Sequence, residues 1–384
     1  MGTGSLWKVN MRHKHALRAG PAPGRWPGAE PWQTPALASA ALIHAPIHAP
    51  IDALSDLLDA VAAGDGASRE GLVAVLNGLL GDHLQRAEHA LATPMQWRHQ
   101  AAALDLAAPG LQARPRVLLM VHDLCLNEAG WQREGHEHGP LLARHLGATL
   151  LHLRYNSGLS VAANGARLNH MLEALAHDWP VSLQALDIVG HGMGGLVARS
   201  ACAQAAVGGA RWPARLRRLV FLGTPQLGLP LERMGSWLRR VLGLRSASAP
   251  LARLAGWRSA GMADLRHGDL LPPGGQGGRG RGQPPQPLRH AQPPLPPLPP
   301  GVACHAIAGC LGSRLHSARR GDGLVPLASA LGQQPRSALG QQPRSALVPP
   351  LPATACWVGE GLHHLDLLSS ALVYRRLLYA LSDG

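Results

Sequence analysis

From Arg116 onward, short and nearly continuous apolar runs alternate with longer segments whose apolar residues recur at three and four spacing. RVLLMVH, ATLLHLRY, ALDIVGH and RLRRLVFLGTP predict strands, and GPLLARHLG, VAANGARLNHMLEALAHDW and GGLVARSACAQAA predict helices between them. Strands that are apolar on both faces and separated by helices predict an α/β fold. Its central sheet would be mostly parallel, covered by helices on both faces and joined by right-handed crossovers. The sheet resumes at VACHAIAG and ends at TACWV, and LDLLSSALVYRRLLYALS predicts a closing amphipathic helix.

Ahead of this alternation, IDALSDLLDAVAA and SREGLVAVLNGLLGDHLQRA predict two amphipathic helices, the second with Ser68 as N-cap and Glu70 in its first turn. Residues 1–50 are rich in Pro, Gly, Ala and Trp without periodicity, end in the tandem IHAPIHAPI, and are expected to be disordered. The chain thus divides into a disordered segment 1–50, helices packed on the main domain over 51–110, and the main domain itself, 111–384. Within that domain, 226–271 predicts a helical insertion, which would either form a cap over a site or pack as ordinary helices. Residues 272–300 are a Pro/Gly-rich, disordered excursion, and SALGQQPRSALGQQPRSAL is a short duplication inside a loop.

With 384 residues the chain can bury a sizeable core. Its formal charge of +13 suggests a polyanionic partner, but the Arg residues are spread along the chain. The densest run, GGRGRG, has no aromatic residues for base stacking, which argues against specific nucleic-acid binding and leaves peripheral contact with an anionic membrane surface open. Five scattered cysteines without paired spacing predict reduced thiols and neither a disulfide framework nor a zinc site. The histidines of REGHEHG (His136, His138) and the pair at 363 and 364 supply no spacing for further ligands, so no metal or cofactor is expected. No segment has the apolar run of a signal peptide or a spanning helix, and a cytoplasmic protein is expected. Oligomeric state is not legible.

Three segments carry candidate chemistry. VGHGMGGLVARSA (189–201) has the strand, tight glycine turn and helix of a nucleophile elbow, GDGLVP surrounds Asp322, and HHLDLL surrounds His364. Nucleophile, acid and histidine in that chain order are the arrangement of α/β-hydrolases. On these motifs the chain resembles the esterase and lipase branch of the α/β-hydrolases, close to bacterial proteins similar to the GPI-inositol-deacylase-like lipases. The resemblance runs from about Leu72 to the C-terminus, interrupted by the 272–300 excursion. It implies hydrolysis of an acyl ester or lipid by a Ser-Asp-His mechanism, with His364 as general base in preference to His363. Asp322 would orient the imidazole, and the backbone amides of Leu124 and Met193 would form the oxyanion hole.

The departures from that pattern matter as much. Resembling proteins read G-H-S-M-G-G at the elbow, but here Gly192 occupies the nucleophile position and has no oxygen with which to attack. Loss of a serine nucleophile costs on the order of 10⁶ in kcat. The family's H-G-L turn appears as His122, Asp123 and Leu124, so a carboxylate stands beside the oxyanion hole. Facing inward it would oppose the developing charge; facing solvent it would matter little. Gln226 stands where the resembling proteins usually have histidine. Ser200 and Cys202 lie roughly 10 Å or more along the helix from the elbow and cannot stand in for the serine. The expectation is therefore an esterase-type chain that is inactive or severely impaired as written, with a non-catalytic module binding an acyl ligand or protein partner as the alternative. Decay under relaxed selection would leave the same marks.

Overall fold

The computed structural model describes residues 66–106, 111–230, Arg233, Trp237, 259–271, 296–312, 321–333 and 351–382. All lie in the compact unit Ile47–Gly384. The segment 1–50, the helix expected over 51–63, most of the insertion between 231 and 258, the excursion up to residue 295 and the duplication beyond residue 333 fall outside the described residues.

The first described helix, α1 (Gly66–Arg86), buries Leu76, Leu79, Leu80 and Leu84 along one face. It begins two residues before Ser68, so Ser68 lies inside the helix instead of capping it, and Glu70 falls beyond the first turn. Glu70 pairs instead with Arg154 at 2.7 Å. Two short strands follow, β1 (Gln96–His99) and β2 (Ala102–Ala103), paired antiparallel. The segment expected to supply only helices therefore also supplies an edge of the sheet.

The expected alternation comes next: β3 (Arg116–Val121), α2 (His138–Leu146), β4 (Thr149–Arg154), α3 (Val161–Asp178), β5 (Ala185–His191), α4 (Met193–Gly208), β6 (Leu216–Leu222), α5 (Ala260–His267) and β7 (Ala303–Cys310). A single turn, α6 (Leu327–Ala330), precedes β8 (Cys356–Glu360), and α7 (Ala371–Leu381) closes the described chain. The eight strands run in the order β2-β1-β4-β3-β5-β6-β7-β8, with β3 to β8 all parallel.

Alternating residues of β3 explain why its sequence reads as a continuous apolar run. Val117, Leu119 and Val121 face a core shared with α1, α3 and α4, while Leu118 and Met120 face a second core shared with α2 and α7. Both faces are buried, so both parities of side chain must be apolar. Ser160 caps α3 by accepting from the Ala163 amide at 3.1 Å, and Ser259 caps α5 while donating to the Gly78 carbonyl of α1 at 2.7 Å. Between β4 and β5 the chain crosses from one side of β3 to the other. That reversal opens a crevice at the carboxyl ends of β3 and β5, where ligands of open parallel sheets bind.

Candidate functional site

Four loops meet at that crevice. Asp123 follows β3, Gly192 follows β5, Asp322 lies on the loop after β7, and His364 lies after β8, in a 3₁₀ turn at His364–Leu368. Gly192 takes φ 51° and ψ −119°, a conformation open to glycine and strained for other residues, and its amide donates to the Leu222 carbonyl at 2.9 Å. The turn brings strand end and helix start so close that a Cβ on Gly190 would lie 2.5 Å from the Gly195 Cα. The strand, tight turn and helix of the expected elbow are thus present, with glycine at the turn.

His364 reaches Asp322 across 42 residues of sequence, Nδ1 to Oδ2 at 2.7 Å. The other Asp322 oxygen accepts the amides of Leu324 and Val325 at 3.0 and 2.8 Å, which fixes the carboxylate. The expected acid and histidine are thus together, and both are buried. His363 instead forms a capping box with Asp366.

Asp123 settles the alternative left open by the sequence: it faces inward and is only 3% exposed. Its Oδ2 lies 3.0 Å from His364 Nε2, and its Oδ1 accepts the Met193 amide at 2.5 Å. The amide expected to stabilise an oxyanion is therefore already donating to a carboxylate. A Cβ built on Gly192 would fall well inside van der Waals distance of Cγ, Oδ1 and Oδ2 of Asp123. The carboxylate thus fills the space a side chain at position 192 would take and occupies the Met193 amide expected as an oxyanion-hole donor. Its loop is braced by Tyr155, which donates to the His122 carbonyl at 2.8 Å and stacks on the His122 ring at 4.3 Å.

Electrostatics follow from this arrangement. Burial alone would lower the His364 pKa, but the charges and hydrogen bonds of Asp322 and Asp123 outweigh it and raise the pKa to about 10. A carboxylate oxygen against each ring nitrogen favours the protonated form of His364, which can donate to both. Burial would raise the Asp123 carboxyl, yet its hydrogen bond to His364, the His364 charge and the Met193 amide hold it below its usual value. His191, whose ring centroid lies 4.5 Å from that of His364, is kept neutral by burial and then by the His364 charge, with a pKa lowered to about 3. It stands directly before the elbow glycine at the end of an apolar strand, and the elbow motif that contains it gave no sign of its contact with His364.

The other residues in question are accounted for. Ser200 donates to the Leu270 carbonyl at 2.5 Å, and burial raises the Cys202 thiol to about 12, so neither is a nucleophile here. Gln226 is buried and accepts from the Arg199 guanidinium at 2.8 Å. The cavity above the site is walled by Leu124, Pro225, Leu229, Trp237 and Leu265, and its volume of about 10 Å³ is room for about one water.

A mostly parallel eight-stranded sheet with a glycine elbow after β5, an acid after β7 and a histidine after β8 makes this an α/β-hydrolase fold. A family model described as a domain of unknown function (DUF7379) matches residues 85–257. No curated protein matches the chain. Among solved structures, a Bacillus licheniformis lipase in its mature form is similar at 16% identity over 73% of this chain and 97% of that one, with a TM-score of 0.40. The NocB thioesterase domain, in covalent complex with a fluorophosphonate nocardicin G analog, is similar at 15% identity over 71% and 97%, with a TM-score of 0.38. The hyperthermophilic esterase from the archaeon Pyrobaculum calidifontis is similar at 12% identity over 70% and 76%, with a TM-score of 0.34.

Proposed function

We propose that this chain is an α/β-hydrolase of the esterase or lipase type, for an acyl ester or lipid, in which serine-dependent acyl transfer is silenced. The observation that carries the reading is the Asp123 carboxylate over Gly192, bound to the Met193 amide and to His364 Nε2. Acyl transfer needs an attacking oxygen, a base able to take its proton, and donors open to the oxyanion. Gly192 lacks the first, the raised pKa of His364 between two carboxylates works against the second, and Asp123 occupies the Met193 donor. The apolar walls of the crevice support an acyl group as the substrate portion held there.

A non-catalytic role, holding an acyl ligand or a protein partner in the same cleft, is the second reading; in either reading the cavity, with room for about one water, must open to admit an acyl chain. We place the protein in the cytoplasm, supported by five free thiols. Among the described residues no helix is long and apolar enough to cross a membrane.

The test is hydrolysis of short- and medium-chain nitrophenyl esters, with chelator present, alongside labelling by a fluorophosphonate. Three proteins are compared: the original chain, the Asp123→Gly/Gly192→Ser variant, and that variant with His364→Ala. The original chain should neither turn over nor label, the double variant should do both, and the added His364 change should abolish turnover. Labelling of the original chain, or failure of a folded double variant to turn over, overturns the reading.

A further inference from the structure

The two departures at this site converge on one cluster. Among the described residues, Asp123, His191 and His364 each bring a ligand atom to within 4.8 Å of the others, and all three are buried. We propose that Asp123, His191 and His364 form a binding site for a divalent transition-metal ion of the zinc class. This goes beyond the proposed function and rests on the Asp123 geometry, without requiring turnover.

The donor set fits. Two imidazoles and one carboxylate suit zinc and its neighbours in the first transition row, and three protein ligands leave a fourth position open. At metal–ligand distances of about 2.0–2.2 Å a tetrahedral edge is about 3.3–3.6 Å. Asp123 Oδ2 and His364 Nε2, 3.0 Å apart, need to separate by only a few tenths of an ångström to reach that spacing. His191, whose ligand atom lies within 4.8 Å of the other two, must draw inward to complete the set. Its Nδ1 is buried without a hydrogen-bond partner among the described residues, a position that costs free energy unless something binds there.

The surrounding contacts are those a metal site needs. Asp322 at 2.7 Å from His364 Nδ1 would hold a proton on that nitrogen and turn Nε2 toward the ion. The Met193 amide fixes the second oxygen of Asp123, leaving Oδ2 as the ligand atom. Two buried carboxylates face one imidazole, so a dication entering as the Nε2 proton leaves would balance the charge of the pocket. The open position would face the small cavity, which has room for about one water. Serine at 192 and a carboxylate at 123 exclude each other sterically. The substitution that removes the nucleophile is therefore also the one that admits the third ligand.

The protein, stripped with chelator and dialysed, should retain one equivalent of Zn²⁺ on titration. Asp123→Asn and His191→Gln should each weaken binding by more than about 100-fold, and Asp322→Asn, acting through His364, by about 10- to 100-fold. His136→Gln should leave affinity unchanged. X-ray absorption at the zinc edge of the original chain should count two imidazole ligands, a readout that does not depend on the variants folding. Absence of a tight equivalent, binding that survives both Asp123→Asn and His191→Gln, or a ligand count without two imidazoles overturns the inference. Because zinc retention is read without turnover, it fails or stands separately from the esterase reading. The serine-restored Asp123→Gly/Gly192→Ser protein should lose the ion while gaining ester hydrolysis.

Discussion

Restoring serine alone should not repair this site, and the reason can be put in numbers. In Gly192→Ser, the new Cβ would overlap three atoms of the Asp123 side chain. The carboxylate can move away only by giving up the Met193 amide and His364 Nε2. A charge-assisted hydrogen bond is worth about 1.5–3 kcal/mol, and separating a buried ion pair costs about 3–5 kcal/mol. The two terms share one carboxylate and do not add fully, so the single variant should lose on the order of 3–6 kcal/mol. The left-handed φ of 51° adds about 1–3 kcal/mol for a non-glycine residue. Asp123→Gly removes the obstruction, so the double variant should be more stable than the sum of the single changes by about 2 kcal/mol or more. Urea unfolding followed by circular dichroism, with midpoints compared at constant slope, reads this coupling, and ester hydrolysis reads recovery of the site. A Gly192→Ser protein as stable as the original, or a coupling energy within about 0.5 kcal/mol of zero, would refute the wedge of Asp123 against position 192.

Three further outcomes test the surrounding structure. Burial raises the Asp264 carboxyl from 3.8 to about 6, against its hydrogen bond from the Val161 amide and with help from Asp269. Its contribution is thus fully present below pH 3.8 and lost as pH rises through about 6. Allowing for its partial exposure, Asp264→Asn should remove that loss and stabilise the protein by about 1–3 kcal/mol above pH 6.5 in denaturation experiments, and a variant no more stable there contradicts it. His122 and His138 are both lowered from 6.5 to about 4, chiefly by burial, so stability present above pH 6.5 should fall as pH drops through about 4. Each such group adds about 1.4 kcal/mol per pH unit to the slope, and His138→Gln should lower it by about that amount; an unchanged acid slope counts against the neutral buried histidine. Gln226→Ala takes an acceptor from buried Arg199 and should cost about 1.5–3 kcal/mol, read as a lower urea midpoint, whereas a midpoint equal to the original would show that Gln226 is dispensable to that cation.

What the sequence determined by itself is the part written in local pattern. The apolar run of β3 required a strand covered on both faces, because side chains alternate at period two and both parities are apolar. Glycines at 190, 192 and 195 required a sharp strand-to-helix turn, and the order of elbow, Asp322 and His364 placed acid and histidine on later loops of the sheet. The antiparallel edge of β1 and β2 escaped that reading because QWRH and the two-residue strand beyond it are too short and mixed to show a period.

Only the tertiary structure decided where Asp123 points. A loop side chain has no periodicity to orient it, and its partners, Met193 and His364, lie 70 and 241 residues away in sequence. The same holds for Gln226, whose partner Arg199 is 27 residues distant, and for His191, which reads locally as the end of a buried strand. Spacing fixes which face of a strand or helix a residue occupies, but whether a buried carboxylate is obstruction, counter-charge or ligand depends on what other segments of the chain bring to within about 3 Å of it.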